Sequence, residues 1–272
     1  MYADTDQPTL GLIVGNRGFF PDHLCDSGRQ TILDVLDEEG IRAIALRRGD
    51  THFGSIESLS DADKCADLFK RHAEEIDGVL VTLPNFGDER AIANALRWAN
   101  LDVPVLVHAF PDELEKMDIQ NRRDAFCGKM SACNNLRQYG IPFSLTSSHV
   151  EGVDSESFRR DLVRFFAVCR VVSRMRGVRL VAVGARPGAF NTVRFSEKIL
   201  ERHGVSVTTV DLSEIFAAVG KLDEKDAGVA AELEKISDYA SVGGKAENAA
   251  ARGGIAKDRL VTMAKLGVVL RG

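Results

Sequence analysis

Residues 9–15 (TLGLIVG) and 78–83 (GVLVTL) are the two apolar runs that decide the fold. Each is short and mostly apolar, which is typical of a strand covered on both faces of a sheet. Three similar runs lie at Ile41–Leu46, Val103–Ala109 and Phe143–Ser147. The first 150 residues are therefore predicted to contain five strands.

Segments with a helical period separate these runs. We predict four helices, near Arg29–Glu39, Ser60–Glu75, Asp88–Asn100 and Lys129–Tyr139. Ser60 is a suitable N-cap, with Asp63 three residues further on. Strict alternation of strand and helix implies a parallel sheet with right-handed crossovers and helices on both faces. Five strands favour a flavodoxin-like doubly wound α/β domain, whose ligand crevice lies beyond the carboxyl ends of the strands.

A second α/β unit is predicted after the first, which gives the domains 1–153 and 154–272. Its elements are a long helix capped by Asp154 or Ser155, a strand Val178–Gly184, a helix Thr192–His203 and a strand Val205–Val210, with helical character beyond. A two-stranded sheet is marginal by itself. The second domain is therefore expected to be incomplete: either the first sheet covers it, or the chain is the front portion of a longer protein. Residues 241–255, rich in Ala and Gly, indicate a flexible joint at most.

Composition excludes several classes of function. The 272 residues carry 35 Lys and Arg against 40 Asp and Glu, a net charge of −5. There is therefore no excess of basic residues to bind nucleic acid or a membrane surface. No apolar run approaches the roughly 20 residues of a membrane-spanning helix. The N-terminus has no signal region, and the five cysteines contain no C-x-x-C pair. We expect a cytoplasmic protein that acts on small molecules or on other proteins.

Arg17 lies in the loop that follows the first predicted strand, between Gly15 and Gly18. Its planar guanidinium suits a polar, oxygen-rich ligand. The equally weighted alternative is an ion pair with a nearby acid such as Asp22. The loop does not match G-x-G-x-x-G, so a dinucleotide site has little support.

Asn85 and Phe86 follow the third predicted strand. An amide and an aromatic ring at a strand end suit sugar binding, through hydrogen bonds and ring contact respectively. Asp88 and Glu89 come next, in the first turn of the following helix. Acidic side chains stabilise a helix at this end, which accounts for both residues without a role in binding.

Arg186 and Phe190 lie in a third loop (GARPGAFNT, 184–192), between a strand and a helix N-terminus, a geometry that binds anions or hydroxyls. A structural turn with Asn191 as an N-cap is the alternative. The Lys-Ser/Thr of a Walker loop is missing, which disfavours nucleotide hydrolysis.

The cysteines, histidines and serines form no recognisable catalytic or metal-binding motif. Cys127 and Cys133 have no identifiable base beside them, so small buried thiols are expected. The six histidines form neither H-x-x-x-H nor H-E-x-x-H, which leaves a metal site within this chain poorly supported. His108 and His149 stand at strand ends and could face the crevice, although a structural role is more common. No G-x-S-x-G elbow occurs.

The sequence resembles the L-fucose/L-arabinose isomerase family, particularly its fucose isomerase-like members. The resemblance is carried by VGNRGFFP (14–21), LPNFGDE (83–89), NRRDAFCGKMSACNNLRQYGIPFS (121–144), FAVCRVV (166–172) and GARPGAFNTVRFSEKIL (184–200). It spans most of residues 9–215, and the third and fifth stretches are long enough to be specific.

This resemblance implies interconversion of aldoses and ketoses with a bound divalent metal, usually Mn²⁺, in homo-oligomers that are hexamers or trimers of dimers. It implies that Arg17 reaches the sugar in a neighbouring subunit's site, and that Asn85 and Phe86 lie at or beside the family's aromatic sugar contact. Arg186 to Phe190 corresponds to a loop near the site, but the Arg-Pro version found here leaves its contacts open.

The family's metal-binding and proton-transferring carboxylates lie further along the chain than residue 272, and so does its metal-binding histidine. We therefore assign no catalytic residue and no metal ligand here, and expect recognition and assembly surfaces. A non-catalytic sugar-binding or regulatory module is the main alternative. A truncated, inactive product is a third possibility.

Overall fold

A computed structural model describes residues 8–239 and 255–271 of the chain. Of the predicted joint 241–255, only Ile255 falls within this range. The described residues contain no helix that is both long and apolar enough to cross a membrane. The chain divides into two compact units, one reaching Met175 and the other beginning at Arg176.

The first unit confirms the predicted doubly wound α/β fold. Its parallel sheet has the strand order β2-β1-β3-β4-β5. The strands are β1 Thr9–Val14, β2 Arg42–Ala45, β3 Gly78–Leu83, β4 Val105–Ala109 and β5 Ser144–Leu145. The helices are α1 His23–Glu38, α2 Leu59–Arg71, α3 Glu89–Ala99, α4 Ala125–Gln138 and α5 Glu156–Met175, with a short 3-10 turn at His52–Gly54.

Two apolar clusters hold this sheet, one on each face. Leu12, Leu80 and Leu106 occupy matching positions on the neighbouring strands β1, β3 and β4, and they belong to the cluster formed with α1 and α5. The alternate strand residues, such as Val79 and Val81, belong to the cluster formed with α2, α3 and α4. All residues of β1, β3 and β4 are buried, as expected for strands with helices on both faces.

Helix α2 begins earlier than predicted, because Ser58 rather than Ser60 is its N-cap. The Ser58 hydroxyl accepts a hydrogen bond from the Asp61 N–H at 3.2 Å, and the Asp61 carboxylate accepts one from the Ser58 N–H at 3.0 Å. These reciprocal bonds form a capping box with Asp in place of Glu.

Helix α5 belongs to the first unit, although the sequence interpretation assigned it to a second domain starting at residue 154. Its buried side chains Phe158, Leu162 and Phe165 lie in the same cluster as β1 and α1. The Ser155 hydroxyl accepts a hydrogen bond from the Phe158 N–H at 3.1 Å, as predicted for the cap. Because this helix covers one face of the first sheet, the boundary between the units falls at residue 175 instead of 153.

The second unit contains a two-stranded parallel sheet and short helices. Its elements are β6 Arg179–Val183, a 3-10 turn at Asn191–Val193, α6 Glu197–Arg202, β7 Ser206–Val210, α7 Leu212–Lys221, α8 Ala227–Tyr239 and α9 Lys257–Val269. The predicted helix from Thr192 is shorter than expected because α6 is capped by Ser196, not by Asn191. Val229, Val261 and Ala264 form a small core between α8 and α9.

Candidate functional site

The strand order reverses between β1 and β3, which places the ligand crevice of such a sheet at their carboxyl ends. Two loops meet there, 15–21 after β1 and 84–88 after β3. The Gly15 N–H donates to the Thr82 carbonyl at 2.9 Å, so the strands remain paired up to the start of the first loop. The sequence-predicted residues Arg17, Asn85 and Phe86 are therefore brought together at this position.

Arg17 is the charged centre of the crevice. Its guanidinium lies 4.7 Å from the centroid of the Phe86 ring. It forms an ion pair with Glu89 and lies 3.8 Å from the Asp88 carboxylate. Asp88 is also the N-cap of α3, accepting from the Ala91 N–H at 2.8 Å. Asp88 and Glu89 thus stabilise the start of α3 and pair with Arg17 at the same time.

Asp22, the acid considered as a partner for Arg17, is engaged elsewhere. Its carboxylate lies 3.0 Å from Nε2 of His52.

Three phenylalanine rings extend the crevice surface. Phe19 and Phe20 have centroids 4.9 Å apart, and Phe20 lies 5.3 Å from Phe86. Arg122 places its guanidinium 5.4 Å from the Phe20 ring. Phe20 is buried, whereas Phe19 is 74% exposed. The exposed Phe19 ring and the half-buried Phe86 ring therefore offer apolar surface beside the donors of Arg17 and Arg122, with Phe20 packed between these two rings.

Gly128 allows helix α4 to approach the Phe86 backbone. A Cβ atom at this position would lie 1.8 Å from the Phe86 carbonyl oxygen, so only glycine fits here. The nearby Arg123 donates to the Pro84 carbonyl at 2.8 Å and lies 5.3 Å from the Phe110 ring, and burial lowers the pKa of its guanidinium. Sequence reasoning assigned no role to either residue, although both lie in the stretch 121–144 that carries the family resemblance.

Asn85 is fully buried, so its side chain cannot meet a sugar in the crevice directly. Its Nδ2 donates to Asn16 Oδ1 at 2.7 Å and to the Pro21 carbonyl at 3.2 Å. Its Oδ1 accepts from the Gly87 N–H at 3.1 Å. Asn85 therefore joins the two loops of the crevice, a role that residue type alone did not reveal.

Lys129 is a second buried polar residue that the sequence did not reveal. Its Nζ donates to Thr146 Oγ1 at 2.7 Å and to the His149 carbonyl at 2.8 Å, which ties α4 to the segment after β5. Burial lowers the pKa of this amine to about 8.

The histidines considered for the crevice are held by structural contacts. His108 is fully buried, and its Nε2 donates to the Glu151 carbonyl at 2.8 Å, so Nδ1 accepts from the Thr82 hydroxyl at 2.8 Å. Burial lowers the pKa of His108 to about 4. His149 packs against Phe126, with ring centroids 4.1 Å apart.

The expectation of buried thiols for Cys127 and Cys133 is wrong for Cys127, which is exposed on the first turn of α4. Its place on the helix turns it away from the sheet, whereas Cys133 packs against the core and is half-buried. Burial raises the pKa of Cys133 to about 11. All five cysteines are free.

Arg186 and Phe190 lie in the loop after β6, in the second unit. Arg186 forms an ion pair with Glu197 at 2.8 Å, and its guanidinium lies 3.9 Å from the Phe195 ring. Phe190 is exposed. This loop also combines an arginine with aromatic rings, but Arg186 is already held by two partners.

Within the described ranges, no three side chains among His, Cys, Asp and Glu converge on a position that could hold a metal ion. The carboxylates nearest the crevice centre, Asp88 and Glu89, are occupied by Arg17 and by the start of α3.

A cavity of about 590 Å³ lies at the opposite edge of the first sheet, at the amino ends of β3 and β4. Its walls are mostly apolar, and they include Leu96, Val103, Ile141, Phe143 and Val172. None of the crevice residues lines it.

Fold and site together define a class: a doubly wound α/β domain with an arginine and aromatic rings at its switch point. Residues 11–176 match the family model described as fucose/sulfoquinovose isomerase, N-terminal domain. The chain belongs to this family. The match ends at the residue where the second unit begins. A search of curated proteins found no match.

Proposed function

We propose that this chain supplies sugar recognition and oligomer contacts to a metal-dependent aldose–ketose isomerase. The observation that carries the proposal is the position of Arg17, 4.7 Å from the Phe86 ring at the switch point of a sheet that belongs to an isomerase family. An aromatic face binds the C–H side of a sugar ring, and a guanidinium donates to its hydroxyls.

The charges around Arg17 favour a sugar without net charge at this contact. Glu89 and Asp88 both lie within ion-pair distance of the guanidinium, so its charge is balanced locally. Their carboxylates add acceptors for hydroxyl groups, which both donate and accept. Arg186 and Phe190 are proposed as a second sugar-binding set on the loop after β6, through Arg186's remaining donors and the exposed Phe190 ring.

Conversion of an aldose to a ketose moves a proton from C2 to C1 and a hydrogen from O2 to O1. A carboxylate within hydrogen-bond reach of C2 normally takes the proton. Asp88 and Glu89 are poor candidates because one caps α3 and the other pairs with Arg17. We therefore assign no catalytic base to the described residues.

The Mn²⁺ implied by the family resemblance polarises carbonyl and hydroxyl oxygens when it is bound. The described residues do not fit such a site, since no ligand group of three or more converges among them. We propose that the metal is held by residues other than these.

We further propose a homo-oligomer, a trimer or hexamer, in which Arg17 contributes to a neighbouring subunit's site. Exposed apolar side chains on the loops after β1 and β4 support this proposal, because a partner would cover them. They are Phe19, Leu114 and Ile119. The five free cysteines support a cytoplasmic location.

A non-catalytic sugar-binding module is the second candidate. The observation that favours it is the lack of a converging metal-ligand group within 8–239 and 255–271. It shares the Arg17 and Phe86 surface with the first candidate and differs only in turnover.

Calorimetric titration with L-fucose and L-arabinose, with and without Mn²⁺, tests these proposals. We expect Arg17→Gln and Phe86→Ala each to weaken binding about tenfold or more. Arg42→Gln removes a guanidinium that pairs with Glu75 at the other end of the sheet, and it should leave binding unchanged. A ketose product, from this chain or from an assembly that also supplies metal ligands, supports the isomerase, whereas metal-independent binding that yields no product in either case supports the module. No binding at all would reject both.

A further inference from the structure

We propose that Glu57 is a further sugar-contacting residue, held in place by a directional chain of hydrogen bonds through Asn85 and Asn16. This inference rests on the proposed function of the crevice. It adds an acceptor beside Arg17 that no sequence motif indicated.

The backbone places Glu57 at the rim of the crevice. The Ile56 N–H donates to the Val14 carbonyl at 2.8 Å, and the Asn16 N–H donates to the Ile56 carbonyl at 3.0 Å. Residues 15 and 56 thereby form a parallel bridge that extends the end of β1. Ser58, the next residue, is the N-cap of α2, so the segment is fixed on both sides of Glu57.

The hydrogen bonds run in one direction toward the Glu57 carboxylate. The Gly87 N–H can only donate, so it fixes the oxygen of the Asn85 amide, at 3.1 Å. Asn85 Nδ2 then donates to Asn16 Oδ1 at 2.7 Å. Asn16 Nδ2 therefore faces outward and donates to Glu57 Oε2 at 2.5 Å. Both asparagines are fully buried, so neither amide can turn over without losing its partners.

The second carboxylate oxygen of Glu57 is available to a ligand. Oε1 accepts no hydrogen bond from the part of the chain that the structure describes, and the side chain is half-buried. It lies beside Gly18, 3.9 Å from the position that a Cβ atom of this residue would take. Arg17 directly precedes Gly18, so an acceptor and a donor border the same turn. A sugar hydroxyl can donate to the acceptor and accept from the donor.

The chain of hydrogen bonds makes the effect of Glu57→Gln specific. Asn16 can offer only its Nδ2 to residue 57, because its oxygen already accepts from Asn85. The introduced glutamine must therefore turn its own oxygen to Asn16 and its NH2 group to the crevice. The substitution replaces an acceptor by a donor at the crevice and preserves the bond to Asn16.

Calorimetry with L-fucose and its 2-deoxy, 3-deoxy and 4-deoxy analogues tests the proposal on the full chain. We expect Glu57→Gln to weaken L-fucose binding about tenfold or more, and to have no further effect on the one analogue that lacks the contacted hydroxyl. Glu57→Asp keeps an acceptor and should bind more tightly than Glu57→Gln. The matched control Glu75→Gln removes the same charge at the other end of the sheet and should bind like the wild type.

Three outcomes would overturn the inference. Wild-type affinity in Glu57→Gln, together with weakened binding in Arg17→Gln, would reject the role of Glu57 and leave the proposed function standing. Equal weakening for L-fucose and for all three deoxy analogues would show that the turn had loosened, with no hydroxyl contact. If the wild-type chain binds none of these sugars, the proposed function and this inference are both wrong.

Discussion

The two parallel sheets differ in burial far more than in sequence. Residues 9–15 (TLGLIVG) and 178–184 (VRLVAVG) are both apolar runs that end in glycine. All six residues of β1 are buried, whereas Leu180 and Val181 of β6 are 45% and 63% exposed. The difference comes from neighbours: β1 has a strand on each side and helices on both faces. An apolar run thus predicts a strand, but its burial depends on the elements packed around it.

A pair of glycine substitutions should separate the two regions most strongly. Gly128→Ala places a methyl group 1.8 Å from the Phe86 carbonyl oxygen, and a backbone atom cannot move aside. We expect the first unit to lose cooperative folding or at least about 3 kcal/mol of stability. Gly188→Ala, in the second unit, meets no atom within 4 Å and should be neutral. Denaturant unfolding checks both, and equal stability of the two variants would contradict the close approach of α4.

Truncating matched leucines measures the difference in burial itself. Leu80→Ala in β3 leaves a cavity between the sheet and its helices, because the side chain is fully buried. We expect a loss of about 3 kcal/mol in the free energy of unfolding. Leu180→Ala in β6 removes a half-exposed side chain and should cost less than about 1 kcal/mol. Urea titration is the measurement, and similar losses would show that β6 is covered.

Acid should destabilise the first unit through His108. Burial lowers its pKa from 6.5 to about 4, so the unfolded chain takes up a proton in this range that the folded chain does not. Stability is therefore complete above pH 6.5 and falls as the pH drops toward 4, by at most about 3 kcal/mol. His108→Gln should flatten this part of the pH profile. His203→Gln, at an exposed position of the second unit, should not, and a profile unchanged by His108→Gln would contradict the assignment.

The smallest effect is expected at Arg186. Its ion pair with Glu197 and its contact with the Phe195 ring lie on partly exposed side chains, where solvent screens the attraction. Arg186→Gln should change the free energy of unfolding by less than about 1 kcal/mol. Thermal melting would detect a larger loss, and such a loss would mean that the loop after β6 organises the second unit.

The fold of the first unit could be predicted from the sequence, because the apolar runs and helical segments that indicate it are local and repeated. The five apolar runs correspond to β1–β5, and the alternation with helices indicated the parallel sheet. The boundary between the units, at residue 175 and not at the predicted 153, was not predictable in the same way. Helix α5 has the same amphipathic pattern whichever sheet it covers, and only its contacts with β1 and α1 assign it to the first unit.

The sequence predicted which residues lie together at the switch point better than it predicted what each of them contacts. Arg17 and Phe86 meet because both follow strands that end at the switch point. Asn85 directly precedes Phe86 in the loop after β3, yet its side chain points into the protein toward Asn16. Lys129 was not anticipated because a lysine is rarely fully buried, and its partners Thr146 and His149 are distant in sequence. The direction of a loop side chain depends on such distant partners.

Hydrogen–deuterium exchange of the full chain, with and without saturating L-fucose, tests most directly the claim that the switch-point crevice of the first unit binds sugar. We expect slower exchange in residues 15–21 and 84–89, and loss of this protection in Arg17→Gln. Unchanged exchange in both segments, at a sugar concentration where calorimetry detects binding, would contradict the claim.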